Sequence, residues 1–496
     1  MFMRLDPQAL QLSLLWRWIF STGLCLFLYG CQLGQQISSN SKSTEQVGMG
    51  VQRPKPIALD VASPSARHGT LTPRELHMAK IAWRYFENNY QQETGLVNAV
   101  DDYPSTTLWD TASYLGALVS AREFGLINKQ QFDDRLVRFI KTLNTIELYR
   151  GEIPNKAYNT ENAAQVNYAN QPGEIGYSAL DIGRFLTWLW IIKERYPEHA
   201  PGIDAGILRW NFCHIIDEFG TMFGALASND EPTQYLQEGR LGYEEYAAKG
   251  FQLWGFNTTR ASKPEPYDMI NLYGYEIPYD SRDPREFVAH SYVVTESYVL
   301  DGIEFGWDHP WDTSSGSNQF SHHWVADFAQ RIYAVQEARY HATGIITART
   351  EHQLDGPPYF VYDTIYTDGY AWNTISEKGD YLPQYAAVAI KGAIGMWVLW
   401  DTPYTDLIFE YVAELYNPEK GFYEGIYENG TGLINTYTSN NNGILLTSLL
   451  FKEQGKLVVE HPWHPPSRWD NVLNDEFSPH LQQCLPSNHN CINCNN

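Results

Sequence analysis

Helix-length runs with apolar residues at helical spacing recur along this chain, each closed by a glycine and another apolar residue. That pattern restricts it to architectures built from helical hairpins. The clearest runs are LWDTASYLGALVSAREFGLI from Leu108, GYSALDIGRFLTWLWIIKERY from Gly176 and QYAAVAIKGAIGMWVLW from Gln384. The punctuation recurs as TGLV at Thr94, EFGTMFG at Glu218, TGII at Thr343 and KGFYEG at Lys420. Strand signals are few and short. A helical hairpin buries its apolar face only against neighbouring hairpins. The chain is therefore read as one all-α domain over residues 71–459, an (α/α)6 toroid with long aromatic loops, and not as the several domains its 496 residues would suggest. An open helical solenoid competes, but the repeats are irregular in length.

The folded region opens at LTPRELHMAKIAWRYF, where Thr72 suits an N-cap, Pro73 the first helical position and Glu75 the first turn. Residues 1–31 ahead of it resemble a bacterial lipoprotein signal: Arg4, an apolar stretch from Ile19 to Tyr29, and LYGC ending at Cys31, the expected site of lipidation. An uncleaved anchor is the alternative, and either makes the body exported and membrane-attached in the cell envelope. Residues 32–70, rich in Ser, Gln, Asn, Pro and Gly, read as a disordered tether. Residues 460–496 read as an irregular tail carrying Cys484, Cys491 and Cys494, two of which would pair in an oxidising compartment. Cys213 sits in an apolar run and is expected as a buried thiol.

Charge narrows the partners. With 35 basic against 58 acidic residues the net charge is -23, which leaves no broad positive surface for nucleic acid and disfavours polyanionic substrates. Mean hydropathy of -0.39 excludes an integral membrane body. The 16 Trp, 33 Tyr and 22 Phe supply flat faces that stack on sugar rings, although most belong in a core. A neutral glycan is the partner these features favour; oligomeric state stays open.

The stretch LQEGRLGYEEYAAKGFQLWG, Leu236 to Gly255, sets Glu238, Glu244 and Glu245 among Tyr243, Tyr246, Phe251 and Trp254. Such acids suit proton transfer to a glycosidic oxygen, with Glu245 the first choice of donor and Glu238 of base or substrate-holding group. Glu244 and Glu245 equally suit the first turn of a helix, whose dipole lowers their pKa, so a donor there must be the most buried acid. Asp110 follows a Ser-Thr turn and fits a helix start, while its neighbour Trp109 makes a sugar-facing position credible. Glu174 and Asp181 flank IGYSAL, and Asp181 inside a helical run needs a partner or a solvated cavity. Further candidate ligands are Asp368 and Trp372 in YDTIYTDGYAW, Tyr423, Glu424 and Tyr427 in FYEGIYENG, and Asn441 before GILLTSLLF. Asp363, Glu296 and Glu304 are weaker members of the same lining. No HExxH, GxSxG, P-loop or GxGxxG pattern occurs, and no metal or cofactor is expected. His322 and His323 are adjacent and do not share a helix face, though one of them or His290 suits the cleft.

Six stretches carry a resemblance to a known family: LWDTASYLGAL at Leu108, IPNKAYNT at Ile153, EIGYSALDIGRF at Glu174, EGRLGYEEYAAKGFQLWGF at Glu238, YDTIYTDGYAWNTISEKG at Tyr362 and the long segment from Gly421. In this order they resemble the bacterial domain of unknown function 3131 family, from about Leu71 to Val459. More distantly the layout is similar to glucoamylase-like (α/α)6 toroids, including endo-β-1,2-glucanases. That likeness implies an inverting glycoside hydrolase with two carboxyls across a cleft. A noncatalytic glycan-binding or envelope-assembly lipoprotein is the first rival. A polysaccharide lyase is the second, disfavoured by the acidic balance.

Overall fold

The computed structural model describes residues 65–228, 231–284, 292–312, 320–459, 467–474 and 482–486. Cys31, His290, Cys491, Cys494 and most of the expected tether lie outside the described residues. Twelve α-helices occur among those described: α1 Pro73–Asn88, α2 Leu108–Glu123, α3 Lys129–Thr145, α4 Ala179–Arg195, α5 Ala200–Ile207, α6 Tyr243–Leu253, α7 Glu296–Phe305, α8 His323–Thr343, α9 Ile390–Leu399, α10 Pro403–Val412, α11 Ser439–Gln454 and α12 Arg468–Asn474. Helix α1 starts as its sequence predicts, with Thr72 and Glu75 forming a reciprocal capping box behind Pro73.

Six of these helices make a closed inner ring. Helices α2, α4, α6, α7, α9 and α11 pack in that order, and α11 returns against α2. Their sequences explain the placement: every residue of α7 and α9 is buried, as is all of α11 up to Lys452, and a helix enclosed all round has no solvated face to keep polar. The outer helices read differently. In α3 only Phe132, Leu136, Phe139, Ile140, Thr142 and Leu143 are buried, a single stripe. Helix α1 lies on α11 and α2, α3 on α2, α5 on α4, α8 on α7, and α10 on α9. Between α6 and α7 the described chain forms a hairpin instead, Tyr267–Leu272 paired with Tyr275–Asp280, and it packs on α8. Apart from Phe223–Ser228 and Glu231–Gln237, the other strands among the described residues are short pieces in the loops, which is why they left so little signal.

Glycines inside helices permit the ring to close. A Cβ on Gly250 of α6 would lie 1.9 Å from the carbonyl oxygen of Gly183 in α4. Any larger side chain there forces these two helices apart.

Three expectations about the chain's ends change. Residues 65–70 belong to the folded body, because Arg67 pairs with Asp401 at 2.9 Å and Asp406 at 2.8 Å and donates to the carbonyl of Trp400 at 2.6 Å. The tail is not wholly irregular: α12 packs on α5, and Trp469 meets Trp254 edge-on at 5.1 Å. Cys213 is no free thiol but is disulfide-bonded to Cys484, 271 residues away. Proximity brought by the fold, invisible to spacing along the chain, selects that pair. A cross-link over so long a loop limits the unfolded ensemble, so Cys484→Ser, or reduction, is expected to cost about 2–5 kcal/mol in urea denaturation with unchanged far-ultraviolet circular dichroism.

Candidate active site

The N-terminal turns of the six inner helices meet at one face of the ring, and side chains bonded to one another there line the candidate cleft. Glu296, the first residue of α7, is its centre. Trp109 of α2 donates its indole Nε1 to Glu296 Oε1 at 2.9 Å, and Asn440 of α11 donates Nδ2 to the same oxygen at 2.8 Å. Lys391 of α9 pairs with Glu296 Oε2. Arg184 of α4 donates to Asn440 Oδ1 at 3.0 Å and to the Trp109 carbonyl at 3.2 Å, with its guanidinium 4.6 Å from the Trp109 ring. Tyr243 of α6 places its ring 5.7 Å from Trp109 and donates its hydroxyl to Glu351. Burial pushes the Glu296 carboxyl up, but Lys391 and Arg184 outweigh it and hold the pKa below the ordinary value.

On one wall the carboxyls are half-buried and less fully paired. Asp110 and Asp181 are third residues of α2 and α4, each bonded to its helix N-cap, Thr107 at 2.7 Å and Ser178 at 2.9 Å. Glu238 is brought beside Asp181 by a three-stranded antiparallel sheet: β1 (Gly176–Tyr177), β2 (Phe223–Ser228) and β3 (Glu231–Gln237). Strand β1 runs into Ser178 and α4, β3 runs into Glu238, and the Ala179 N–H donates to Glu238 Oε1 at 3.2 Å. Gly224 in β2 makes the room, since a Cβ there would stand 2.0 Å from Glu238 Oε1. Burial pushes Asp110 up to about 6 against its Thr107 bond, and Asp181 up to about 6 against its Ser178 bond, with Glu238 adding to the rise at Asp181. Glu238 is also raised by burial, opposed by Arg240, Lys156 and the Ala179 N–H. Opposite, Tyr292 and Tyr362 stack at 3.7 Å, and the Arg240 guanidinium lies 5.8 Å from the Tyr292 ring.

The structure thus gathers Trp109, Asp110, Asp181, Glu238 and Tyr243 around one cleft, and it places other candidates elsewhere. Glu244 and Glu245 are 0% and 1% exposed, inside the wall and not on it. Glu245 closes the first turn of α6 by accepting the Gly242 N–H at 2.6 Å, and Glu244 lies against Glu265, which raises its pKa further after burial. Burial that satisfied the sequence argument for Glu245 as donor also removes it from reach of a substrate. Trp254 is a core ring, 1% exposed, bonded to the Leu186 carbonyl at 3.0 Å. Glu174 is exposed and accepts the Arg150 N–H at 3.0 Å. Asn441 is fully buried and organises backbone, accepting the Lys391 N–H at 3.0 Å and donating to the Tyr423 carbonyl at 2.8 Å. Glu424 is buried beneath the floor near Lys391, accepting from Thr438 at 3.0 Å and from the Gln353 N–H at 3.2 Å. Tyr423 packs on Tyr437 and Tyr427 on Tyr385. Asp368 sits at the turn between Tyr366–Thr367 and Tyr370–Ala371, and Trp372 just beyond covers the Arg339 guanidinium at 4.5 Å. Glu304 is held lower in the ring by Trp188 at 2.8 Å and Tyr246 at 2.5 Å, and Asp363 pairs with Arg349.

Lys156, Arg184, Glu351 and Lys391 were missed by sequence reasoning. Lys391 had a signal, a lone cation in the apolar run AVAIKGAIGMW, which a buried position tolerates only with a partner. Among the described residues one group has metal-ligand spacing, Asp133, Glu198 and His199. It lies away from the cleft, and Lys129 neutralises it at 2.7 and 3.0 Å.

The model of the family described as "Protein of unknown function (DUF3131)" matches residues 77–455. The chain belongs to this DUF3131 family. No curated protein matches it in sequence. In fold it is similar to an endo-β-1,2-glucanase from Chitinophaga pinensis in complex with sophorotriose and glucose, with a TM-score of 0.55 and 11% identity over 84% of this chain and 98% of that one. A glucoamylase-like protein of Bacteroides caccae gives 0.55 and 10% identity, over 78% and 96%. An endo-β-1,2-glucanase from Talaromyces funiculosus with sophorose gives 0.50 and 12% identity, over 78% and 84%. The DUF3131 chain accordingly has the α/α toroid fold that its sequence implied.

The buried acids make stability depend on pH. Burial raises Glu245 to about 8 and Glu304 and Glu424 to about 7, whereas an unfolded glutamate titrates near about 4.3. Between pH 6.5 and 8 the folded chain therefore binds more protons than the unfolded one, and stability falls as pH rises. Half-buried His309 and buried His352, lowered to about 4 by burial, act in the opposite sense, and their contribution fades above the unfolded histidine pKa of about 6.5. The expected result is a lower Tm at pH 8 than at 6.5, and a shallower slope for Glu245→Gln, which keeps the capping geometry without the titrating proton. An unchanged slope would show that Glu245 does not bind a proton in this range.

Proposed function

We propose that this DUF3131 protein is an exported glycoside hydrolase acting on a neutral glycan by inversion, with Asp181 as proton donor and the adjacent Glu238 strengthening its hold on the proton. The observation that carries this reading is the meeting of Asp181 and Glu238 at the start of α4, both half-buried and in unequal surroundings. Glu238, raised by burial, accepts the Ala179 N–H, which favours its ionised form, while Arg240 and Lys156 favour the ionised forms of both acids. Asp181 is raised to about 6 by burial, then by Glu238, and so holds its proton to a higher pH than an ordinary aspartate. In the proposed step the Asp181 proton passes to the glycosidic oxygen as the anomeric C–O bond breaks. A water bonds the anomeric carbon through its oxygen from the opposite face and releases its proton to solvent, which inverts the configuration. Asp110 and Trp109 flank the pair and would hold the sugar.

Two of the similar solved structures hold sugars, sophorotriose with glucose in one and sophorose in the other, which makes β-1,2-glucan the first substrate to test and soluble starch the second. The Cys213–Cys484 disulfide supports an oxidising compartment, in keeping with export and lipidation at Cys31. Cys31→Ala is expected to move the protein from the membrane fraction to the soluble fraction of cells.

Purified full-length protein should release reducing ends from one of these glycans, with the anomer of inverted configuration seen first by proton NMR. Activity is expected to fall as pH rises past about 6, where Asp181 loses its proton. Asp181→Asn should lower kcat by about 10²-fold or more while glycan binding persists, and Glu238→Gln should move the fall in activity to lower pH. Full activity in Asp181→Asn together with an unmoved profile in Glu238→Gln would remove the pair from the chemistry.

A further inference from the structure

Glu351 borders the cleft but takes no part in the proposed proton transfer. It is 8% exposed, and each of its oxygens accepts one hydroxyl, Oε1 that of Tyr243 and Oε2 that of Thr350 at 2.6 Å. The backbone that carries it is tied on both sides. Ahead of it, the Arg349 carbonyl accepts the Thr295 hydroxyl at 2.6 Å and the Thr295 N–H at 3.3 Å, while the Arg349 N–H donates to Gln336 Oε1 at 2.7 Å. Beyond it, His352 and Gln353 pair as a strand with Val361 and Phe360, and the Gln353 N–H donates to Glu424 Oε1 at 3.2 Å. Thr295 directly precedes Glu296. Glu351 is therefore held in register with the acid at the centre of the cleft.

Trp109 and Tyr243 are each anchored by a polar tip to a carboxylate. The Trp109 indole Nε1 donates to Glu296 Oε1 at 2.9 Å, and the Tyr243 hydroxyl donates to Glu351 Oε1. Their rings stand 5.7 Å apart at 50°. They differ in cover: Tyr243 is buried, whereas Trp109 is half-buried and directly precedes Asp110. Trp109 is thus the ring with surface left for a ligand, and Tyr243 is the prop packed beside it. The bond to Glu351 stops the far end of that prop from swinging away. A ring already held in its bound orientation has little freedom left to lose when a flat ligand meets it.

We propose that Glu351 is a positioning residue for glycan binding, which through Tyr243 holds Trp109 in the orientation that stacks on a pyranose ring beside Asp110. This role rests on the glycoside hydrolase reading and names the support of that site's aromatic face.

Binding of soluble β-1,2-glucan and of soluble starch is to be measured by isothermal titration on full-length Asp181→Asn protein, which retains the ligand unconverted, and KM and kcat on protein with Asp181 intact. Glu351→Ala is expected to weaken binding about tenfold and to raise KM about as much, with kcat held within about threefold. Tyr243→Phe, which keeps the ring and loses the hydroxyl, should do the same. Because both changes remove one bond, the double variant should be no weaker than either single one. Glu351→Gln should restore binding to within about twofold, since its carbonyl oxygen can accept from Tyr243 and its amide can donate to Thr350. Melting temperatures keep loss of fold apart from loss of position; should Glu351→Ala melt early, Tyr243→Phe carries the test. Binding unchanged in Glu351→Ala and Tyr243→Phe, or losses that add in the double variant, would overturn the positioning role and leave the hydrolase reading standing. A fall in kcat of about 10²-fold in Glu351→Gln would overturn it as well, by placing Glu351 in the chemistry. Failure of Asp181→Asn and unsubstituted protein alike to bind either glycan would overturn both.

Discussion

The ion pair between Glu296 and Lys391 is the interaction on which the site's geometry depends. Glu296 opens α7 and Lys391 opens α9, and through Trp109 and Asn440 the same carboxylate also reaches α2 and α11. One acid thus fixes the relative rotation of four inner helices at the face where the cleft lies. Both charges are almost wholly buried, at 1% and 3% side-chain exposure. Removing either partner would strand the other, a loss of about 3–5 kcal/mol in comparable buried pairs. The cost of burying such charges makes a poor argument for stability but a good one for a unique arrangement of helix ends.

Five carboxyls sit in first turns of inner helices, where the helix dipole favours the ionised form. Yet Asp110, Asp181, Glu244 and Glu245 are raised, and only Glu296 is lowered. Magnitudes explain the split. A helix terminus contributes about 0.3–1 kcal/mol, which is less than one pKa unit at about 1.36 kcal/mol per unit. The shift at Asp181 is about two units, so desolvation exceeds the dipole, and a full ionic partner such as Lys391 is needed to reverse it. A ring of helix ends therefore does not simply collect carboxylates. It produces acids with different proton affinities according to how much counter-charge each has found.

Much of the ring was legible in the sequence because its repeating unit is local. Thr72, Pro73 and Glu75 announced α1, and the continuous apolar runs from Leu108, Gly176 and Gln384 correspond to α2, α4 and α9 with their approaches. Residues of the candidate site were legible where they begin a helix, as at Trp109, Asp110 and Asp181. What was not legible depends on depth and on partners distant in sequence. Glu238 and Glu245, seven residues apart, have the same chemistry on paper, but a strand end exposes one and a helix cap encloses the other. Trp254, Asn441 and Glu174 failed in the same way, the first two placed too deep and the last too far out. The Cys213–Cys484 bond joins positions that no spacing rule relates.

The charge balance of the cleft departs from that of the whole chain, and this bears on its ligand. The chain carries -23, but Arg184, Lys156, Arg240 and Lys391 all converge where Asp110, Asp181, Glu238, Glu296, Glu351 and Glu424 are found. Burial pushes Asp110, Asp181, Glu238, Glu351 and Glu424 up, so at mildly acidic pH the four cations offset a share of this acidity. A polyanion would meet repulsion from the chain at long range and no compensating positive field inside. A polycation would be drawn in but would find the strongest acids already paired. An uncharged polyhydroxyl ligand meets neither obstacle, and it can use donors and acceptors in a site whose aromatic faces are Trp109, Tyr243 and the Tyr292–Tyr362 stack.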